Sequence, residues 1–242
     1  MLDMDSKNNL QREGETVMSE QYIPEIEGNL RKHMIRVPDV VNEVSGIRIF
    51  GKLIKSLVFT TDVAIIRNCN ANAVIAVYPF TPQPIITHSI ISCSDVPVFC
   101  GVGGGTTTGK RVINLAEDAE FQGAVGVVLN APTSNETIEK LRMKVDIPIV
   151  ITVVSDKTDI KARLEAGADI INVSGAANTA NIVAKIREEH PHVPIIATGG
   201  PTEDSIRKTI AAGANAITFT PPTNGDIFKG MMNKYRQEKY II

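Results

Sequence analysis

From residue 55 onward, short apolar runs rich in β-branched residues alternate with stretches whose apolar residues recur at helical spacing, and the pair repeats eight times. The runs fall at 55–60, 73–78, 98–101, 125–129, 149–153, 170–173, 195–197 and 216–219. They are nearly continuous rather than alternating in polarity, as parallel strands covered on both faces must be. Two kinds of lead-in alternate along the chain. Val96-Pro97, Ile147-Pro148 and Val193-Pro194 precede strands three, five and seven, while Asn72-Ala73, Gly123-Ala124, Gly167-Ala168 and Gly213-Ala214 precede the even strands. Proline opens a strand where no ladder donor is needed, and glycine ends the preceding helix in a left-handed conformation. The repeating unit is thus βαβα. Eight strand–helix units without a break in composition predict a (β/α)8 TIM barrel, with a doubly wound open sheet as the rival.

Ahead of the repeat, residues 1–27 are polar and lack hydrophobic period, which predicts a flexible tail, and Met18 offers an alternative start. Val37, Val40, Val41 and Val44 follow at helical spacing within 29–45, interrupted by Pro38. This helical extension is expected to cap the bottom of the barrel, within a single domain spanning 28–242. The 242 residues are 43% hydrophobic, enough for a sizeable core. A net charge of -2 with both signs scattered argues against nucleic acid and anionic lipid as partners. Small molecules fit better, and a homo-oligomer stays open. Three cysteines without metal or CxxC spacing read as reduced thiols of a cytoplasmic protein.

In such a barrel, chemistry belongs at the carboxyl ends of the strands. Strand seven ends Thr198-Gly199-Gly200, where backbone N–H groups can approach an anion, and a helix opening near Thr202 directs its positive end there. Ser174, Gly175 and Thr220 would add donors to this phosphate site. The alternative is that the two glycines only make a tight turn. Ile196-Ala-Thr-Gly-Gly200 and Ala212-Gly-Ala214 resemble strands seven and eight of the ribulose-phosphate-binding superfamily, and of FMN-binding barrels of the nitronate monooxygenase and IMP dehydrogenase type. The likeness covers about residues 165–221 and implies a TIM barrel holding a phosphate group, with FMN as cofactor in the second set. Phe219-Thr-Pro-Pro222 stands where those families carry Gly-Ser or Gly-Thr, removing one backbone donor. On this reading, Gly199→Asp abolishes ligand binding and leaves the barrel folded.

A second glycine-rich stretch follows strand three. Gly104 to Lys110 satisfies G-x-x-x-x-G-K, but Arg111 follows where a magnesium-binding hydroxyl is required and no Walker-B strand accompanies it. A P-loop NTPase is therefore rejected. Gly103, Gly104, Gly105, Thr106, Thr107 and Lys110 remain as a second anion site or a lid, with Lys110 and Arg111 either touching a charged ligand or simply solvated.

Acid–base groups are scarce on this rim. Asp62 after strand one suits either a general base or a helix N-cap. Asn130 and Asn172, ending strands four and six, are placed to hydrogen-bond a substrate or an isoalloxazine edge. Tyr78 and Cys100 read as packing residues. No His/carboxylate cluster suits a metal, and no metal is expected. No strand carries a mid-barrel lysine for a Schiff base, which disfavours an aldolase of that kind. Three functions fit: a lyase, isomerase or hydrolase acting on a small phosphorylated metabolite; an FMN-dependent oxidoreductase; and a non-catalytic phospho-ligand sensor, similar to the glycerol-uptake antiterminator barrels. The first is the expectation carried forward.

Overall fold

The computed structural model describes residues 22–29 and 33–237. Most of the expected tail, residues 1–27, lies outside the described residues. Residues 22–29 belong to a separate unit and are irregular and exposed. The unit from His33 onward contains a closed barrel of eight parallel strands, β3 (Ser56–Phe59), β4 (Ala73–Ala76), β5 (Val98–Gly103), β6 (Gly126–Leu129), β7 (Ile149–Val153), β8 (Ile170–Val173), β9 (Ile195–Thr198) and β10 (Ala216–Phe219), with β10 closing onto β3. Helices follow each strand: α1 (Val63–Arg67), α2 (Pro84–Cys93), α3 (Lys110–Phe121), α4 (Asn135–Arg142), α5 (Ile160–Glu165), α6 (Thr179–Glu189), α7 (Glu203–Ala211) and α8 (Asn224–Gln237). The strands begin and end within a residue or two of the apolar runs, because only those runs can be buried on both faces.

Side chains alternate between two apolar clusters. Leu57, Ile75, Phe99, Val128, Val150, Ile170 and Ile196 share the cluster that fills the lumen, while Val58, Val74, Val127, Ile151 and Ile171 share the cluster that includes the helices. Gly126 is required beside Phe99, since a Cβ there would meet the ring at 2.8 Å.

The bottom of the lumen is closed by a hairpin that precedes the barrel. Strands β1 (Ile47–Ile49) and β2 (Lys52–Ile54) pair antiparallel, and Ile47, Ile49 and Ile54 join the lumen cluster. Phe50 and Gly51 turn the chain with φ of 45° and 81°, the two left-handed residues that a type I′ turn needs. The valine-rich segment expected to cap the bottom does something else. Only Asp39–Glu43 is helical, as one 3-10 turn, because Pro38 precedes it and Val44 is already extended. The segment runs from Asn68 and Asn70, which bond Ile35, to Glu43, which pairs with Arg207 of α7. It therefore packs against α7, with its valines buried in the outer cluster that the helices share. No helix among the described residues is long and apolar enough to cross a membrane.

The alternating lead-ins have a physical role at this lower end. Asn72 Oδ1 accepts from Lys55 N and Ser56 N at 3.0 and 3.1 Å, Asp169 Oδ2 from Ile149 N at 2.8 Å, and Asn215 Oδ1 from Ile195 N at 3.0 Å. In each case the residue just ahead of an even strand satisfies the first donor of the strand before it. Ile149 and Ile195 are the residues after Pro148 and Pro194, so they carry the first N–H available. Arg142 and Arg187 donate to the same two side chains, at 2.8 and 2.7 Å. A Cβ at Gly167 or Gly213 would come within 2.9 Å of those arginines, which explains the glycines. Asn215→Ala leaves the Ile195 N–H without its acceptor and takes one of several partners from Arg187, which still donates to Gly213 O and Pro191 O, and is expected to cost about 1–3 kcal/mol in urea unfolding, with Asn215→Asp keeping most of the stability.

Candidate functional site

The carboxyl ends of β4, β5 and β6 frame a cleft of about 240 Å³. Val77, Tyr78 and Phe80 line it beyond β4, Gly101 and Gly103 come from β5, and Thr106, Thr107 and Asn130 complete it. Tyr78, which the sequence suggested was a packing residue, is a wall of this cleft. Its phenolic oxygen accepts from Gln83 N at 3.0 Å, which fixes the ring and leaves the O–H free to donate. A Cβ on Gly101 would press on Ala76 and Val77 at 3.1 Å, so the floor admits backbone only.

The glycine-rich loop is a folded turn. Gly103 and Gly104 have φ of +120° and +98°, and Gly104 N donates to Thr107 O at 2.9 Å. A Cβ at Gly104 would collide with the buried Thr133 side chain, and the strand pairing with β6 shifts register between Gly101 and Gly103. Gly105 and Thr106 stay exposed, Thr107 is buried, and Gly109, with φ of +61°, starts α3. No side chain caps this helix and no acid stands in its first turn, where Lys110 and Arg111 are exposed. Its terminal N–H groups and positive dipole end thus lack an anionic neighbour from their own helix.

The loop after β9 is the opposite case. Thr202 and Ser205 form a reciprocal capping box on α7, and Glu203 and Asp204 occupy the first turn. The helix end expected to hold phosphate is therefore already capped and carries negative side chains. Gly199 is buried, and a Cβ on it would sit 2.8 Å from both Ile206 and Ile217. Gly175 N is taken by Thr179 Oγ1 at 3.0 Å. Gly200, with φ of +84°, Ser174 and Thr220 remain exposed, and Thr198 Oγ1 lies 3.4 Å from Ser174 Oγ.

Asp62 is a cap. Its Oδ1 accepts from Ala64 N and Ile65 N at 2.9 and 3.2 Å, and its Oδ2 from Asn224 Nδ2 at 2.5 Å, so both oxygens are engaged. Asn130 reaches the cleft. Asn172 lies deeper in the lumen, donating from Nδ2 to Thr152 Oγ1 at 3.2 Å. Leu129 pairs with Ile151 and Thr152 with Asn172, so one further step places Asn130 beside Thr152, and all three share the lumen face as the alternation predicts. Cys100 packs in the outer cluster, and burial pushes its thiol up to about 12, far from a nucleophile's range.

No known family model matches the chain. A 4-hydroxy-tetrahydrodipicolinate synthase of Methanothrix thermoacetophila is 25% identical over 178 residues, 62% of this chain and 60% of that protein. The match thus spans less than two thirds of the relative's length. Among solved structures, a phosphoenolpyruvate phosphomutase from Streptomyces platensis subsp. rosaceus superposes with a TM-score of 0.58 at 14% identity, covering 81% of this chain and 83% of its own. A mandelate oxidase with benzoyl-formic acid gives 0.57 at 15% identity over 75% and 69% of the two chains. The chain is a TIM barrel, and its fold neighbours include enzymes of unlike chemistry.

Because Gly199 is enclosed by two isoleucines, Gly199→Asp cannot serve as a clean test of ligand binding. Gly199→Ala alone is expected to cost about 1–3 kcal/mol by overpacking, read from urea unfolding, whereas the half-exposed Thr198 tolerates Thr198→Val with a smaller loss.

Proposed function

We propose that this barrel binds a small phosphorylated metabolite in the cleft above β4–β6, with the phosphate on the loop 103–109 and the start of α3. The observation that carries this reading is the contrast between two helix ends. The N-terminus of α3 has no side-chain cap, no acid in its first turn, and two cations, Lys110 and Arg111. That of α7 is internally capped and acidic. Phosphate gains from the first and is opposed by the second. The strand-seven residues Ser174, Thr198, Gly200 and Thr220 then suit the uncharged part of the ligand.

Turnover by a lyase, isomerase or hydrolase requires a proton to be moved, and Tyr78 is the one ionisable side chain among the residues lining the cleft. An enzyme reading therefore rests on Tyr78 as acid and Asn130 as a polarising donor. The same lining supports a phospho-ligand sensor if Tyr78 only orients the ligand.

Binding is tested by calorimetry with inorganic phosphate and a panel of sugar phosphates. Replacing Lys110 and Arg111 together by alanine is expected to weaken binding roughly tenfold or more at unchanged stability, the worth of one charged hydrogen bond. Unchanged affinity there, with loss in Thr198→Val, would return the phosphate to strand seven and overturn the placement. Tyr78→Phe separates the two roles: an enzyme keeps affinity and loses turnover of the bound ester, whereas a sensor never turned it over. A protein that purifies yellow would favour the flavin alternative over both.

A further inference from the structure

The polar and apolar residues of the cleft above β4–β6 are segregated. Its polar side is the glycine turn: Thr106 and Thr107 belong to that turn, and Asn130 is tied to it by a bond from its backbone N to Gly103 O at 2.9 Å. The opposite lining is apolar. Where the cleft meets the barrel core it is lined by Val77 and Val128, both part of the packing of the lumen cluster, and Pro79, Phe80 and Pro82 follow beyond β4. Tyr78 is the one hydrogen-bonding side chain among these. Phe80 is 74% exposed although it lines the cavity, so a large apolar ring is left open at its rim. The segment that carries it is closed on itself. Tyr78 Oη accepts from Gln83 N at 3.0 Å, and Pro79 and Pro82 fix φ on either side of Phe80-Thr81. The ring is thus presented by a braced loop, and little order remains to be imposed when a ligand arrives.

We infer that the group enclosed by this cleft, next to the phosphate, is a single flat unsaturated ring, and that Phe80 sets the preference for it. The inference rests on the proposed phosphate-binding reading and names the chemistry that adjoins the phosphate. A ring bearing hydroxyls would turn them against Val77, Pro79, Phe80, Pro82 and Val128, where they lose water and gain no partner. A flat ring instead lays its faces on apolar side chains and on the bare peptide surface of Gly101 and Gly103, with Tyr78 and Asn130 for its polar edge. An aromatic pair also gains beyond the area it buries, which a saturated ring of the same size does not. Size restricts the ring to one: about 240 Å³ is below the roughly 300–1,000 Å³ of pockets for drug-sized ligands.

The test measures wild type, Phe80→Ala and Phe80→Leu by calorimetry with inorganic phosphate, phenyl phosphate, cyclohexyl phosphate and ribose 5-phosphate. Wild type should bind phenyl phosphate most tightly of the three esters. Phe80→Ala should lose roughly fivefold or more in affinity for phenyl phosphate, and Phe80→Leu should bind the phenyl and cyclohexyl esters alike. Inorganic phosphate should bind all three proteins equally, and all three should melt together, since Phe80 is mostly exposed. Wild type binding ribose 5-phosphate or cyclohexyl phosphate as tightly as phenyl phosphate would overturn the inference and leave the phosphate site standing. An affinity for phenyl phosphate that Phe80→Ala leaves unchanged would do the same. Benzyl alcohol, followed by saturation-transfer NMR, supplies the ring without the phosphate: a signal lost in Phe80→Ala, from a protein that ignores inorganic phosphate, would sustain the ring wall and refute the phosphate reading. Failure of every probe with the wild type would refute both.

Discussion

The barrel's register is held at its lower end by side-chain oxygens that take the first free N–H of a neighbouring strand. Asn72, Asp169 and Asn215 each occupy the last position before an even strand and reach back to the strand before it. Register matters more in this architecture than in an open sheet. A one-residue slip would turn Asn130, Thr152 and Asn172 out of the lumen and send the apolar outer residues inward. The lower clamps thus determine which side chains face the mouth. Two of them also recruit an arginine, and those arginines require the glycines of the same lead-ins. One motif therefore couples helix termination, strand start and strand alignment.

Much of this was legible in the chain because it is local. Continuous apolar runs could only be strands covered twice, and proline and glycine marked where each began. The β1–β2 hairpin escaped that reading since its strands are three residues long and sit beside a stronger valine signal, although Phe50-Gly51 between alternating residues was a usable sign. The rim was read less well, for a different reason. Whether Gly199 serves a ligand or a packing contact depends on Ile206 and Ile217, which come from two other elements. The relative merit of two helix ends was closer to the surface of the sequence. Thr202-Glu-Asp-Ser205 already carries a cap and two acids, and Gly109-Lys110-Arg111 carries neither. What no pattern announced was that Tyr78 would stand in the cleft, because its orientation follows from a bond to the backbone of Gln83.

The mouth divides by chemistry. One side offers aromatic and aliphatic surface with glycine floors, the adjoining loop offers N–H donors and cations, and the far wall offers hydroxyls and an amide. Cations stand at the start of α3, and carboxylates at the start of α7 and at Asp62. This distribution follows from strand alternation acting on residues that are individually unremarkable. The lower plug adds to it: with Ile47, Ile49 and Ile54 filling the base, the lumen is reached from above only.

The clamp motif is not repeated evenly. Val125 stands at the position before β6 that Asn72, Asp169 and Asn215 hold before β4, β8 and β10, and a valine accepts nothing. The β5–β6 pair is also where the register shifts and the glycine turn projects. Of the four even-strand lead-ins, the one before β6 thus lacks a side-chain clamp of this kind. That strand pair also borders the cleft, so the glycine turn there is aligned by backbone pairing alone while the other three pairs are pinned from below by a side chain.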